Sequence, residues 1–255
     1  MGKNKVIHMA GARYNTGMTF FSSLKTSVLD LLFPLHCADC GAEGSSLCAL
    51  CRTKLRFIPP SCFVCKKLVP THNNLPPGRT CKECHKKTSV YCFLSPFSYG
   101  EPIIKLLVHD LKYRRVRPNA AALAELLHGY IQYFRITLPP NTLLVPIPLH
   151  KTRERLRGFN QSFLIAQNLG KKLGVEVHRN ALRKIKKTVP QMELSREERL
   201  KNAIDTFAVS DMPLIRNRTI LLLDDVKTTG ATLEEASRVL RAAGAKKIWA
   251  ITVAH

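Results

Sequence analysis

The sequence is short of acidic residues and of long apolar runs, and each shortage narrows the class of protein. Only 18 Asp and Glu stand against 40 Lys and Arg in 255 residues, which gives a formal net charge of +22. This excess favours a polyanionic partner, with nucleic acid first and an anionic membrane surface second; a solvated basic face is the alternative. No apolar run approaches the roughly 18 residues of a membrane-spanning helix, so no transmembrane segment is predicted.

No secretory signal is predicted in the N-terminal residues either, because Lys25 and Asp30 interrupt the apolar positions there. Residues 1–33 are predicted to be an N-terminal extension that ends in a short amphipathic helix. This helix would dock on the following module or, alternatively, contact a membrane. The missing signal also weakens any interpretation of the cysteines as a disulfide framework.

Eight of the nine cysteines form four Cys-x-x-Cys pairs. They are Cys37/Cys40, Cys48/Cys51, Cys62/Cys65 and Cys81/Cys84. Two such pairs complete a tetrahedral site, so two structural zinc ions are predicted, with iron–sulfur ligation, a single zinc or redox chemistry as alternatives. Short loops favour pairing the first with the second and the third with the fourth, although interleaved pairing stays open. Cys92 is predicted to be a small buried residue.

The clearest chemistry lies between Thr219 and Glu234. The apolar run Ile220–Leu223 predicts a parallel strand that is buried on both faces. Asp224 and Asp225 follow it, at the strand end where open α/β sheets bind ligands. The Thr- and Gly-rich residues 228–232 then lead into a helix N-terminus, which attracts phosphate. Carboxylates for sugar hydroxyls beside a phosphate cradle describe a ribose-5-phosphate site.

The middle of the chain alternates apolar strands and amphipathic helices. Strands are predicted over 93–99 and 143–148, and helices over 103–115, 120–133 and 161–173. This alternation favours a parallel α/β sheet. Between strand and helix lie Lys151, Arg153, Arg155 and Arg157, which predict a flexible cationic loop for pyrophosphate or DNA phosphates. Four scattered aromatic residues are candidates for base stacking: Phe57, Phe63, Tyr113 and Phe159.

The stretch 219–232 resembles the phosphoribosyl-pyrophosphate (PRPP) loop of type I phosphoribosyltransferases. The resemblance implies that Asp224 and Asp225 bind the ribose hydroxyls and are the catalytic residues, and that residues 228–232 grip the 5′-phosphate. Magnesium would accompany PRPP. The implied PRPP-binding set is Asp224, Asp225, Val226, Lys227, Thr228, Thr229, Gly230, Ala231 and Thr232.

Other motifs resemble the ComF family of competence-related proteins. They are Leu111-Lys112-Tyr113, the Arg-Gly-Phe-Asn-Gln run at 157–161, and a spaced set comprising Leu182-Arg183, Val189-Pro190-Gln191, Leu194-Ser195, Arg199, Asn202 and Phe207. The resemblance implies a double zinc-ribbon module over 34–92 and a phosphoribosyltransferase-like domain over 93–255. It also implies a cytoplasmic protein of DNA uptake that handles single-stranded DNA, with other uptake proteins such as a helicase as partners.

Three functions therefore compete. The chain is a nucleic-acid-binding protein whose second domain binds PRPP, an enzyme that displaces pyrophosphate from Mg²⁺-bound PRPP, or a PRPP-sensing regulator without turnover. No motif locates a pocket for the acceptor of a transferred ribose 5-phosphate, which weakens the nucleotide-salvage version of the enzyme hypothesis.

Overall fold

The computed structural model describes residues 34–69, 75–186, 198 and 203–255. The N-terminal extension predicted over 1–33 lies outside these residues, as do Val189-Pro190-Gln191, Leu194-Ser195, Arg199 and Asn202. The centre of the fold is a five-stranded parallel sheet in the order β1-β7-β6-β2-β3. Its strands are β1 (Cys92–Leu94), β2 (Thr142–Pro146), β3 (Glu176–Val177), β6 (Thr219–Val226) and β7 (Lys247–Ala254). The parallel α/β sheet predicted from the sequence is confirmed.

A short antiparallel pair, β4 (Leu182–Lys184) with β5 (Phe207–Val209), lies beside this sheet. The helices are α1 (Ala49–Lys54), α2 (Pro102–His109), α3 (Asn119–Tyr133), α4 (Lys151–Arg157), α5 (Gln161–Leu173), α6 (Met212–Ile215) and α7 (Ala231–Ala242). A π-helical turn over Asp110–Arg114 extends α2. None of the helices in the described part of the chain has the length and apolarity needed to cross a membrane.

Strand β6 shows why the sheet is buried on both faces. Ile220 and Leu222 belong to a core cluster with residues of α7 and of the β4–β5 pair. Leu221 and Leu223 belong to the other cluster, with residues of α2, α3 and α5. Successive side chains of a strand point to opposite faces, so one continuous apolar run fills both cores.

The cationic stretch after β2 is a helix, and the prediction of a flexible loop there was wrong. Helix α4 has signals at both ends. His150 Nδ1 accepts a hydrogen bond from the Thr152 amide at 3.3 Å, and Gly158 ends the helix with a φ of 85°. Arg, Lys, Glu and Leu all favour helices, and the caps fix the ends. The four cations consequently lie on one short helix.

The cysteine-rich part packs on the sheet domain. Cys51 and Leu55, in and after α1, share a core cluster with Leu127 and Tyr130 of α3. Cys92 is fully buried in the same cluster, as predicted. The boundary predicted between residues 92 and 93 falls inside β1 and stays a prediction about domain organisation.

Candidate functional site

The acidic pair lies at the carboxyl end of β6, in the middle of the sheet. Asp224 Oδ1 accepts hydrogen bonds from Ser162 Oγ and from the Asp225 amide, both at 2.9 Å. Asp225 is 4% exposed, and its Oδ1 accepts from the Val226 amide at 2.9 Å. These bonds fix both carboxylates before any ligand arrives.

A lysine from the π-helical turn completes this arrangement. Lys112 Nζ lies 2.5 Å from Asp225 Oδ2. Burial alone would lower the pKa of Lys112, but the Asp225 carboxylate outweighs it and holds the pKa above its ordinary value. Burial raises the pKa of Asp224 to about 7, and the Asp225 charge acts in the same direction. One carboxyl of the pair is therefore poised to gain or lose a proton near neutral pH.

The loop after β6 has the geometry of an anion cradle. Gly230 adopts a φ of 85°, and α7 begins at the next residue. A Cβ at Gly230 would lie 3.0 Å from both Lys227 Cε and Phe63 Cζ, so only glycine fits. Thr229 Oγ1 accepts from the Ala231 amide at 3.3 Å. A helix N-terminus behind such a turn attracts phosphate through its amides and dipole.

The carboxylates and the loop open into one cleft of about 590 Å³. From the loop and the end of β6, Val226, Thr228 and Thr232 line it. The Lys227 side chain does not: its ammonium lies 4.8 Å from the Phe63 ring centroid and 5.3 Å from that of Phe93.

Basic side chains outnumber acids in the cleft. Besides Asp224 and Asp225, the charged lining residues are Lys112, Arg115, Arg153, Arg157 and Lys184. Burial lowers the pKa of Lys184 to about 8, and the charge of Arg153 adds to this effect. A cleft with five cations around two carboxylates suits a ligand that carries several negative charges together with hydroxyl groups.

Helix α4 divides the predicted cationic set between two surfaces. Arg153 and Arg157, four residues apart and therefore on one helix face, line the cleft. Lys151 and Arg155 are exposed and do not line it. Arg157 is held in place by Gln161 Oε1, at 2.5 Å from its Nη1, and lies over the Tyr113 ring.

The Arg-Gly-Phe-Asn-Gln run at 157–161 has mainly a positioning role. Gly158 ends α4, and Phe159 is 7% exposed with the Arg117 guanidinium over its ring. Asn160 caps α5 by accepting from the Ser162 and Phe163 amides, while its Nδ2 donates to the Ile147 carbonyl. The motif therefore turns the chain so that Arg157 lines the cleft and the buried Ser162 reaches Asp224.

The prediction that four aromatic residues stack on bases was wrong for Phe63 and Phe159, and Phe57 is half-buried. Phe63 and Phe159 are buried, and Phe57 packs among the rings of Phe97, Tyr130 and Tyr133. Only Tyr113 of the four is exposed. Phenylalanine in these positions fills cores, and sequence alone does not separate that role from an exposed ring.

The paired cysteines lie in two groups, each with its sulfurs within 4.8 Å of one another. The first cysteine group is Cys37, Cys40, Cys48 and Cys51, and the second cysteine group is Cys62, Cys65, Cys81 and Cys84. The grouping matches the sequential pairing. None of the nine cysteines forms a disulfide.

The geometry of both groups fits a tetrahedral metal ion. The Sγ atoms of Cys40 and Cys48 are 3.7 Å apart, as are those of Cys65 and Cys81. Metal–sulfur bonds of about 2.3 Å in a tetrahedron place sulfurs about 3.8 Å apart. The Cys48 amide also points at Cys37 Sγ at 3.4 Å, a bond that favours a thiolate.

Sequence reasoning did not assign Lys112, Ser162 or Lys184 to the site. Lys112 belongs to the Leu-Lys-Tyr motif, so a signal existed, but nothing in the motif shows that this lysine reaches Asp225. Lys184 lies on β4, next to the motif residues Leu182 and Arg183. Both reach the cleft only through the packing of distant elements.

Comparison with known proteins places this geometry in context. Residues 160–255 match a family model described as a phosphoribosyl transferase domain. The DNA utilization protein YhgH of Salmonella typhi is 32% identical over 209 residues, covering 80% of this chain and 89% of that protein. Competence protein F of Haemophilus influenzae is 27% identical over 220 residues, covering 83% and 86%. Competence protein ComFC of Bacillus subtilis is 29% identical over 205 residues, covering 76% and 77%.

Proposed function

This chain belongs to the ComF family, and we propose that it is a zinc- and PRPP-binding protein of DNA uptake that binds single-stranded DNA in the cytoplasm. The names of its relatives support the role in DNA uptake, since they are competence and DNA utilization proteins. The match to a phosphoribosyl transferase domain supports the ligand. The observation that carries the proposal is the cleft in which an acidic pair, an anion cradle and several cations converge.

Each part of PRPP has a counterpart in the cleft. Asp224 and Asp225 would accept hydrogen bonds from the ribose 2′- and 3′-hydroxyls, and residues 228–232 would hold the 5′-phosphate at the start of α7. Arg153 and Arg157 would face the pyrophosphate, whose charge they match. Magnesium bound with PRPP would neutralise the remaining phosphate charge. When the sugar binds, the Lys112 ammonium would move away from the Asp225 carboxylate or share it with a ribose hydroxyl.

Two zinc ions are the metals that the cysteine groups would hold. Soft thiolate ligands in a closed tetrahedral set suit Zn²⁺, which there supplies folding energy rather than chemistry. A cysteine-rich segment this small buries too little apolar surface to be stable without a metal. Elemental analysis should find two zinc ions per chain, and a metal-free native protein would contradict this part of the proposal.

An active phosphoribosyltransferase is the second candidate. The observation in its favour is that Arg153 and Arg157 stand in the same cleft as the carboxylates. In this proposal they would stabilise the charge that develops on a departing pyrophosphate, while Asp224 and Asp225 would orient the sugar. Release of pyrophosphate from PRPP with candidate acceptors distinguishes this enzyme from a binder or a regulator without turnover.

The PRPP site is tested by Asp224→Asn combined with Asp225→Asn. The amides keep the shape of both side chains but remove the charges, so PRPP binding measured by calorimetry with Mg²⁺ should be lost. Asp205→Asn with Asp211→Asn removes the same charge at exposed positions and should leave affinity unchanged. A folded acidic-pair variant that still binds PRPP normally would refute the assignment.

The DNA surface is tested by Lys151→Ala combined with Arg155→Ala. Both side chains are exposed and lie outside the cleft, so PRPP affinity should not change. Affinity for single-stranded DNA should fall, and the log–log salt slope should flatten by about 1.4, or about 0.7 for each lost phosphate contact. Salt-insensitive binding by the natural protein would contradict DNA binding through its phosphates.

A further inference from the structure

A second basic surface lies at the amino end of the sheet strands, whereas the acidic pair lies at their carboxyl end. Strand β7 begins at Lys247, which pairs with Thr219 at the start of β6, whereas Asp224 pairs with Thr252 near the end. Five residues of strand separate the two levels, or about 17 Å. A groove of about 590 Å³ opens at the amino end of β7, between this strand and the segment that carries the second cysteine group.

Every charged side chain that lines this groove is basic. The basic lining residues are Arg79, Lys82, His85, Arg241, Lys246 and Lys247. No Asp or Glu of the described residues lines it, in contrast to the cleft with its acidic pair. Without carboxylates the groove lacks the charged oxygen ligands that bind Mg²⁺, and its remaining polar side chains include the hydroxyls of Thr80, Thr88 and Ser89. Its chemistry therefore selects for phosphate.

The cations are also available to a ligand. Within the part of the chain that the structure describes, Arg79, Lys82, Lys246 and Lys247 take part in no ion pair. The Arg79 Nε–H is buried and donates to no acceptor among the described residues. A buried donor without an acceptor costs free energy, and a phosphate in the groove would recover it once the Arg79 side chain turned this nitrogen toward the ligand.

Two contacts hold cations at the groove before a ligand binds. Lys247 Nζ lies 4.4 Å from the centroid of the Tyr91 ring, a cation–π contact that limits its motion. Arg241 Nη1 donates to the carbonyls of Ala245 and Lys246, which ties the end of α7 to the loop before β7. Ordering these side chains in advance lowers the entropy lost on binding.

We infer that this groove binds the phosphodiester backbone of single-stranded nucleic acid, while the cleft at the carboxyl end of the strands holds PRPP. The inference rests on the proposed DNA binding and assigns it a second surface. An extended polyanion fits better than a small phosphate, because the segments that carry the second cysteine group expose four further cations, Lys66, Lys67, Lys86 and Lys87, against one exposed acid, Glu83. A strand that runs from the groove over these segments would contact the cysteine-rich module and the sheet domain together.

The test compares Lys246→Gln/Lys247→Gln with a charge-matched control, Lys105→Gln/Lys171→Gln, whose exposed lysines lie on α2 and α5. Binding of oligo-deoxythymidine and oligo-uridine of about 16 nucleotides is measured over a range of salt. Losing two phosphate contacts should flatten the log–log slope by about 1.4 relative to the control. If the log–log plots of affinity against salt for the groove variant and the control meet at about 1 M salt, the affinity of the groove variant at about 0.1 M should be about 25-fold lower than that of the control. Loss with both oligonucleotides supports backbone recognition, and PRPP affinity should be unchanged in both variants.

The outcomes separate this inference from the proposed function. If the natural protein binds neither oligonucleotide, DNA binding itself is refuted. If it binds and the groove variant matches the control, the groove is refuted while the proposed DNA binding itself stands. If polyglutamate binding falls in the groove variant and oligonucleotide binding does not, the groove serves an acidic protein instead and the inference is overturned.

Discussion

The two cysteine groups have the same ligands and the same sulfur spacing, but they are attached to different parts of the domain. The first cysteine group packs on α3: Cys51 and Leu55 share its core, and Arg52 lies 3.8 Å from Glu125. The Phe57 ring, just after α1, packs against Tyr130. These contacts are all with the helical layer, so this group supports the fold from outside the cleft.

The segment that carries the second cysteine group instead contacts the loop after β6. Phe63, between two of its cysteines, lies against Gly230 and under the Lys227 ammonium. Just after its last cysteine, the Thr88 hydroxyl and the Ser89 amide both donate to Glu234 in the first turn of α7, the latter at 2.8 Å. The comparison indicates that one group stabilises the fold in general and the other shapes the candidate ligand site.

The largest effect should come from opening each cysteine group in turn. Cys37→Ser and Cys62→Ser should each release one metal ion and destabilise the local segment, since structural zinc contributes on the order of 10 kcal/mol in zinc-finger peptides. Only Cys62→Ser should also abolish PRPP binding. Metal content and calorimetry check this together. Equal loss of PRPP affinity in both variants would remove the distinction between the groups.

A smaller effect is expected from removing one phenylalanine ring beside each cysteine group. Phe63→Ala and Phe57→Ala should each lower the free energy of unfolding by about 2–4 kcal/mol, because each leaves a gap among packed rings. Phe63→Ala should in addition raise the Kd for PRPP about tenfold, a change of about 1.4 kcal/mol. Phe57→Ala is the matched control and should change this Kd by less than about twofold. Denaturant titration and calorimetry provide both numbers, and a tenfold rise with both variants would contradict a specific role for Phe63.

The smallest expected effect concerns two glutamates. Glu234→Gln removes the charge that accepts from Thr88 and Ser89, and should cost about 1–2 kcal/mol in stability and weaken PRPP binding about threefold. Glu125→Gln breaks half-exposed pairs with Arg52 and Lys172, which contribute about 0–1 kcal/mol, and should leave PRPP affinity unchanged. Thermal unfolding and calorimetry measure both. If the Glu125 variant weakened PRPP binding more than the Glu234 variant, the contact of Thr88 and Ser89 with α7 would not be what connects the second cysteine group to PRPP binding.

Sequence patterns were sufficient where the parts of a feature are contiguous in the chain. Apolar periodicity, an acidic pair and one glycine describe β6, its loop and α7, because strand, turn and helix follow each other directly. The Cys-x-x-Cys pairs work in the same way, since each pair is a single local turn. The caps of α4 were local signals too: His150 and Gly158 mark its ends, but the charge of the stretch suggested a loop.

Contacts between distant parts of the chain depended on tertiary structure alone. The pairing of Lys112 with Asp225, the packing of Phe63 against Gly230 and the joining of Lys82 with Lys247 in one groove each span more than a hundred residues. Local patterns encode periodicity, caps and turns, which concern neighbours in sequence. Which surfaces then meet is set by how the elements pack around the shared core, and that depends on all of them at once.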